Sequence, residues 1–276
     1  MIFETHILQA PLDKLIEAIF YYKNFQPEHS IERVVPTGHL FLLFELDGIE
    51  RNTFDNENLQ ANASFKNVWI SGMHKNYLSI SAHTDSEMLV VQFKPFGAFP
   101  FLQLPIHQLN DKVIPAQEIF GEEILSLRKK IIALERPQEK LELISNWLIN
   151  RMDEQKNPNK ELMENVNQLA TNPISDHKTI VQNYSKTQKH LIDQYKKYCG
   201  LTPKVLHRIF RFNLMLQQLH KNEKIEWSQI AYQFGYTDQS HFIKEFKEFS
   251  GFNPQDFIIA DYHNDEPNFF PLDKDG

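Results

Sequence analysis

The chain has 276 residues, of which 41% are hydrophobic and 24% charged, with 22 Phe and a single cysteine. That length favours two hydrophobic cores over one, lone Cys199 excludes an internal disulfide or a cysteine-based zinc finger, and no apolar run reaches the roughly 20 residues of a membrane span. The formal net charge of −7 argues against a nucleic-acid partner until it is divided along the chain: residues 178–258 hold 12 Lys and Arg against 7 Asp and Glu, residues 1–177 hold 16 against 24, and residues 259–276 hold 1 against 5. One basic segment between acidic neighbours is the distribution expected of a chain that neutralises phosphates with one part only. The opening MIFETHILQAPLDKL lacks the basic-then-apolar pattern of a signal peptide, so a cytoplasmic location is expected.

In chain order, residues 31–101 read as strands separated by polar turns: RVVPTGHLFLLFEL, NVWISGM, NYLSISAH and EMLVVQFKPFGAF. These runs are rich in Val, Ile and Phe and partly alternate, which predicts a β-sandwich or small barrel. Pro95 and Gly97 break the last run, and Pro105 and Pro115 bracket a loop before the spacing becomes helical. Ile124, Leu127, Ile131 and Leu134 form one apolar stripe; Leu141, Ile144, Leu148 and Met152, after Pro137, form another. Such helices pack on the sheet or form a subunit interface, and packing is the expectation because helices beside a sheet generally bury one face against it. The polar, proline-bearing stretch Asp153 to Lys160 reads as a linker, with a boundary near residue 157.

The fold class expected is α+β: an N-terminal β-rich sandwich or barrel with flanking helices over residues 1–156, then an all-α domain over residues 157–260. The acidic tail, residues 261–276, is expected to be disordered. No repeat of fixed period is present.

From Glu226 to Phe257 the spacing describes a helix, a tight turn and a second helix. Ile230, Ala231 and Phe234 form an apolar stripe, Gly235 supplies a left-handed helix end, and Asp238 is placed to cap the next helix. Phe242, Phe246 and Phe249 recur at four and three residues and face inward together. The remaining face carries Gln239, Ser240, His241, Lys244, Glu245 and Lys247. In a helix-turn-helix the start of the second helix enters the major groove, where Gln pairs with adenine and Ser or Lys reaches phosphates and base edges. Any exposed helix also shows polar groups of this kind, so periodicity alone leaves a generic amphipathic pair as the alternative.

The full string decides more than the periodicity. The run from IAYQFGY through TDQSHFIKEFK to GFNPQDF closely resembles the second helix-turn-helix of AraC/XylS-type transcription regulators. Ala231, Gly235, Asp238, Gln239, Ser240, Phe242, Phe246, Lys247, Gly251 and Pro254 stand where that family's motif places them. The resemblance implies two helix-turn-helix units joined by a long helix, each offering one recognition helix to successive turns of major groove. SKTQKHLIDQYKKYCGLTPKVLHRIFRFNLML resembles the first recognition helix and the joining helix, with Thr187 as cap, Leu191 and Tyr195 buried, and Gly200, Thr202 and Pro203 in the following turn. Lys186, Gln188, Lys189, His190 and Lys197 are its implied DNA contacts, beside Gln239, Ser240, His241, Lys244 and Lys247 in the second unit. Three departures stand out, the first a segment around Asn172 to Thr179 that is longer than the family's. Asp193 takes a place where the family often has a DNA-facing arginine, and Ser185 replaces a turn glycine, where a Cβ in a left-handed conformation is strained. Scaffold helices are expected over Lys160 to Thr171 and up to Val181 to Tyr184.

VVPTGHLFLLFEL, ISGM and VVQFKPFGAFPFLQLP bear a looser likeness to front domains of such regulators. The resemblance therefore implies a sequence-specific regulator, such as an activator, with double-stranded DNA as partner. It also implies a small-molecule effector or a homodimer through the front half, and contact with RNA polymerase. The alternative is a small-molecule-binding or protein-interaction module whose helix-turn-helix no longer binds DNA; Asp193 and the overall acidity favour it. His39, His74, His83 and His107 lack the spacing of metal ligands, Cys199 reads as core, and no phosphate loop or nucleophile elbow is present. No cofactor, metal or enzymatic activity is expected.

Overall fold

A computed structural model describes residues 1–219, 226–259 and 268–273. The front half contributes strands β1 (Ile2–Thr5), β2 (Ile16–Phe25), β3 (Ile31–Val34), β4 (Phe41–Glu45), β5 (Arg51–Phe54), β6 (Ala61–Phe65), β7 (Val68–Ser71), β8 (Leu78–Ser81) and β9 (Ser86–Phe93). Helix α1 (Phe99–Leu102), a 3-10 turn (Ile106–Leu109), β10 (Val113–Pro115) and helices α2 (Gln117–Phe120), α3 (Glu122–Ala133) and α4 (Pro137–Arg151) follow. The C-terminal half is helical: α5 (Lys160–Thr171), α6 (His177–Gln182), α7 (Gln188–Cys199), α8 (Pro203–Leu219), α9 (Trp227–Gln233), α10 (Gln239–Ser250) and α11 (Pro254–Ile259), closed by strand β11 (Phe269–Pro271). This is the α+β arrangement that the sequence predicts.

The strands make two antiparallel sheets, ordered β1-β2-β9-β4-β7-β10 and β11-β3-β8-β5-β6. In the first sheet the row Ile19, Val91, Leu42 and Ile70 is in register and fully buried. The alternate row, Phe20, Val90, Leu43 and Trp69, belongs to a smaller cluster with Phe65 of the second sheet. Both faces of this sheet are therefore apolar, because each is covered. Buried Glu45 and Arg51 join the sheets through an ion pair of 3.0 Å, and Trp69 Nε1 donates to Glu45 at 2.8 Å. Burial, opposed by the Arg51 charge, pushes the Glu45 carboxyl up to about 7.

Helices α3 and α4 pack on the sheet, α3 on β7 and α4 on β1 and β2. Their stripes behave as expected, with Ile124, Leu127, Ile131, Leu141, Ile144 and Leu148 buried. Strands β1 and β2 precede the span read as β-rich. Because β2 presents Ile19 and Tyr21 to one covered face and Phe20 and Tyr22 to the other, its sequence does not alternate.

One continuous buried cluster runs from Leu12 to Phe270, so the two halves share a core instead of holding one each. Side-chain hydrogen bonds dock the helical half. Asn110 Nδ2 donates to the Gly200 carbonyl at 2.7 Å, and His107 Nδ1 donates to the Lys196 carbonyl at 3.3 Å. Gly200, at φ +76°, allows this approach: a Cβ there would lie 2.6 Å from Asn110 Oδ1. Asn213 Nδ2, on α8, donates to the Pro36 carbonyl at 3.0 Å. Arg33 of β3 reaches the end of α10, its Nη1 donating to the Ser250 carbonyl at 3.2 Å. The expectation of a disordered tail is corrected in part. Residues 260–267 and 274–276 lie outside the described residues, but β11 pairs with β3 and Phe270 is fully buried. Acidic and Asn-rich composition masked the Phe269-Phe270-Pro271 run, which gains burial only when β3 is beside it.

Candidate nucleic-acid interface

Helices α9 and α10 enclose a tight turn. Tyr236 N donates to the Ala231 carbonyl at 2.9 Å and Gly235 N to Tyr232 at 3.0 Å, the paired bonds that close a helix through a left-handed residue. Gly235 has φ +71°, which glycine adopts without steric cost. The Asp238 side chain accepts from His241 N at 2.8 Å and starts α10. Phe242, Phe246 and Phe249 are buried, with Trp227 stacked on Phe242 at 5.5 Å and Phe212 edge-on to Phe246 at 5.5 Å. Gln239, Ser240, His241, Lys244 and Lys247 are all exposed. The structure thus leaves all five expected second-unit residues open to solvent.

Glu245 does not belong to that face. It is 1% exposed, pairs with Arg208 at 2.7 Å and Arg211 at 2.8 Å, and accepts from the Tyr236 hydroxyl at 2.8 Å. Its position between Phe242 and Phe249, three and four residues away, puts it on the inner stripe. Burial pushes its carboxyl up, but the Arg211 charge and hydrogen bonds from Arg211 and Arg208 outweigh that and leave it below the usual range. Charge alone made it look like a surface residue in the sequence. The signal that would have found its place was Arg208 and Arg211 on the joining helix, one turn apart. Arg208 also pairs with Glu248 at 2.7 Å, so α10 is bolted to α8 by three charged contacts.

The first recognition helix is anchored by neutral bonds. Thr187 accepts from His190 N at 3.2 Å and caps α7. Leu191 and Tyr195 are buried, the Tyr195 hydroxyl donates to Asn165 Oδ1 at 2.7 Å, and Asn165 Nδ2 donates to the Ile180 carbonyl at 2.9 Å. Ser185 is not among the residues with positive φ, so the expected strain is absent. Its hydroxyl instead donates to Glu161 Oε2 at 2.8 Å, and its backbone N–H donates to the same carboxylate.

Lys186, Gln188 and Lys189 are exposed, and Asp193 is exposed one turn beyond Lys189. His190 is half-buried, stacked on Tyr184 at 5.8 Å with the hydroxyl 3.2 Å from Nδ1. Lys197 points to the front half, its ammonium 4.6 Å from the Phe99 ring centre and 5.0 Å from that of Tyr198. Three of the five first-unit residues are therefore open, one is half-covered, and one is held in the contact between halves.

Elsewhere, among the described residues no three His, Cys, Asp or Glu side chains converge as a metal site. His39 Nδ1 donates to the Phe93 carbonyl at 2.8 Å, and His74 and His83 pair with Ser71 and Ser81 at 3.0 and 2.9 Å. Cys199 is buried, which pushes its thiol up and away from reactivity. No described helix is long and apolar enough to cross a membrane. Two open grooves lie in the front half. One of about 370 Å³ lies between the sheets and is lined by Thr53, Phe65, His74, Leu78 and Val113. The other, of about 400 Å³, lies beside Leu104, Leu109 and Ile119. Lys112 and Ile114 line both.

Residues 181–258 match the family described as a helix-turn-helix domain, and residues 6–115 match one described as a domain of unknown function (DUF6597). No curated protein matches the chain. Similar solved structures include ToxT from Vibrio cholerae in an apo variant, at 14% identity, covering 88% of this chain and 96% of that one with a TM-score of 0.42. ToxT bound to (E)-4-(8-methylnaphthalen-1-yl)but-3-enoic acid is similar at 13% identity, covering 93% and 98% with a TM-score of 0.43. Unsaturated fatty acid bound wild-type ToxT is similar at 14% identity, covering 87% and 93% with a TM-score of 0.41. The capped helix pair, its left-handed glycine turn and the family match agree that residues 181–258 are an AraC-type helix-turn-helix domain.

Proposed function

We propose that the chain regulates transcription by reading DNA with α10 as the principal recognition helix and α7 as a secondary one. The two would lie in major-groove segments about one helical turn, roughly 34 Å, apart. The observation that carries this reading is the exposed row Gln239, Ser240, His241, Lys244 and Lys247 on a helix whose opposite face is fully packed. Amide and hydroxyl groups at the helix start supply base discrimination, and the lysines supply sequence-independent phosphate attraction. In α7, Lys186, Gln188 and Lys189 are open for the same task. Asp193 repels phosphate, and His190 and Lys197 contribute less because both are engaged within the protein.

Residues 1–156 act in this reading as the sensing and regulatory part, and residues 157–260 as the DNA-binding part. The segment from the 3-10 turn to β10 supports the connection. It carries Lys112 and Ile114, which line both grooves, and Asn110 and His107, which grip the end of α7. A small molecule seated in either groove presses on the segment that positions the first recognition helix. A homodimer and contact with RNA polymerase complete the scheme by family resemblance.

The test is selection of bound duplexes from a random pool by the full-length protein, with affinity for the recovered sequences followed against salt. Two sequence blocks one turn apart and a steep loss of affinity with salt support both helices as readers. One block confines reading to α10. No enrichment removes the DNA reading and leaves a protein-interaction module.

A further inference from the structure

The chain does not stop at the helix-turn-helix domain. After α11 it returns as β11 to the edge of the second sheet, antiparallel to β3, with Phe269 opposite Val34, Phe270 opposite Arg33 and Pro271 opposite Glu32. Val35 N donates to the Asn268 carbonyl at 3.0 Å and Leu272 N to the Ile31 carbonyl at 2.9 Å. The Asp273 carboxylate then accepts from Ile31 N at 2.9 Å, from Ser30 N at 3.1 Å and from the Ser30 hydroxyl.

Residues opposite each other in register share a sheet face. Arg33 and Phe270 accordingly present one surface, and the end of the second helix-turn-helix unit sits on it. The Phe270 ring lies 5.0 Å from Phe257 and 6.2 Å from Phe252. The Arg33 guanidinium stacks over Tyr77 at 4.2 Å and over Phe252 at 4.6 Å while bonding the Ser250 carbonyl at the end of α10. The residues that follow the DNA-reading helix are thus held against β3 by a strand lying further along the same chain.

We propose that β11 is an intramolecular strap that fastens the second helix-turn-helix unit to the front half and keeps its affinity for DNA low while fastened. The proposal rests on the reading of α10 as a DNA-binding helix. The strap does not cover the recognition face, since Gln239, Ser240, His241, Lys244 and Lys247 stay exposed. It acts through the company it imposes: residues 1–156, with 21 acidic against 15 basic side chains, are held in contact with residues 178–258, which carry 12 basic against 7 acidic. That net acidic charge opposes an approaching phosphate backbone over distances up to the screening length, about 10 Å at 0.1 M salt. Unfastening β11 removes the Phe270 anchor and lets the end of the second unit move away from β3, while α7 and α8 stay docked to the front half through Asn110, His107 and Asn213.

The experiment uses the full chain with Phe270→Asp, which puts a charge in a fully buried aromatic site, and Asp273→Ala, which removes only the carboxylate that holds Ser30 and Ile31. Hydrogen exchange at the Val35 and Leu272 amides reports whether the strap is fastened, and the Val91 amide, central in the first sheet, reports whether the protein is folded. Slow exchange at all three is expected in the wild type, with selective loss at Val35 and Leu272 in the variants. Binding to the selected duplex is expected to tighten about tenfold for Phe270→Asp and about threefold for Asp273→Ala at low salt, the gain shrinking as salt screens the acidic half. Fast exchange at Val35 and Leu272 in the wild type overturns the proposal. So does slow exchange in both variants, or a released strap with unchanged or weaker binding. If Phe270→Asp unfolds the whole chain, the Val91 amide shows it and Asp273→Ala decides. If neither the wild type nor a released variant binds a duplex, the DNA reading fails separately and the exchange measurement still tests the strap.

Discussion

Helices α7 and α10 each have 12 residues, a side-chain cap and one buried stripe, yet they are anchored by different chemistry. Tyr195 and Asn165 hold α7 through neutral hydrogen bonds, whereas Glu245 holds α10 through two arginines and a tyrosine hydroxyl. Their ends differ too. The last turn of α7 is gripped by His107 and Asn110, and Lys197 lies over Phe99, while the first turns of α10 are open along one face. Equal helices with equal caps can therefore have unequal access to DNA, because access depends on what packs against the helix and not on its own sequence.

Removing the anchors breaks the comparison most strongly. Glu245→Ala leaves Arg208 and Arg211 facing a buried gap and is expected to cost about 3–5 kcal/mol, the usual penalty for breaking a buried pair from one side. Tyr195→Phe in the first unit loses one neutral bond and is expected to cost about 1 kcal/mol. Urea unfolding of the two variants measures the contrast; equal costs would show that Glu245 carries no more than an ordinary hydrogen bond.

Base reading comes next. Gln239→Ala is expected to reduce discrimination between the selected duplex and single-base variants by about 1–3 kcal/mol, with little change on random DNA. Gln188→Ala, on the gripped helix, is expected to change discrimination by under about 1 kcal/mol. A competition assay over both variants checks this, and equal losses on selected and random duplexes would remove Gln239 from base reading.

Phosphate contacts sharpen the contrast at smaller amplitude. Lys247→Ala is expected to weaken all sequences alike and reduce the salt slope by about 1. Lys197→Ala is expected to leave the salt slope unchanged, since its ammonium rests over Phe99 and Tyr198. A fall in slope for Lys197→Ala would mean that this contact opens on DNA.

The smallest effect at neutral pH is acid sensitivity. The Glu245 carboxyl lies below its ordinary value of 4.5 in the folded protein, so the unfolded chain binds a proton first as pH falls. Its stabilisation is complete above about 4.5 and is lost as pH drops through the folded value. No ionised partner anchors Tyr195. Amide exchange followed towards acid should show α10 losing protection before α7, and the opposite order would assign the acid sensitivity to another group.

Much of this was legible in local sequence. The caps Thr187 and Asp238, the left-handed Gly235, and the inward stripes of Phe242, Phe246 and Phe249 depend on residues within a few positions of each other. So do the stripes of α3 and α4. The sequence read less well where distant segments decide the outcome. Strand β2 lacked alternation because both its faces are covered. Glu245 looked like surface because its two arginines lie on another helix. Ser185 looked strained because its Glu161 partner, 24 residues earlier, was not visible in the local pattern.

The sequence alone determined the helix-turn-helix, its caps and turn, the exposed row from Gln239 to Lys247, and the separation of charge between the halves. Each is local chemistry or a count. Tertiary structure decided which lysines remain open, which acid is buried, and where the tail goes. Lys197, Glu245 and Phe270 owe their roles to Phe99, Arg208 and β3, partners at least 37 residues away in sequence. Burial and pairing are properties of a neighbour as much as of a residue, and for these three side chains the fold supplies the neighbour.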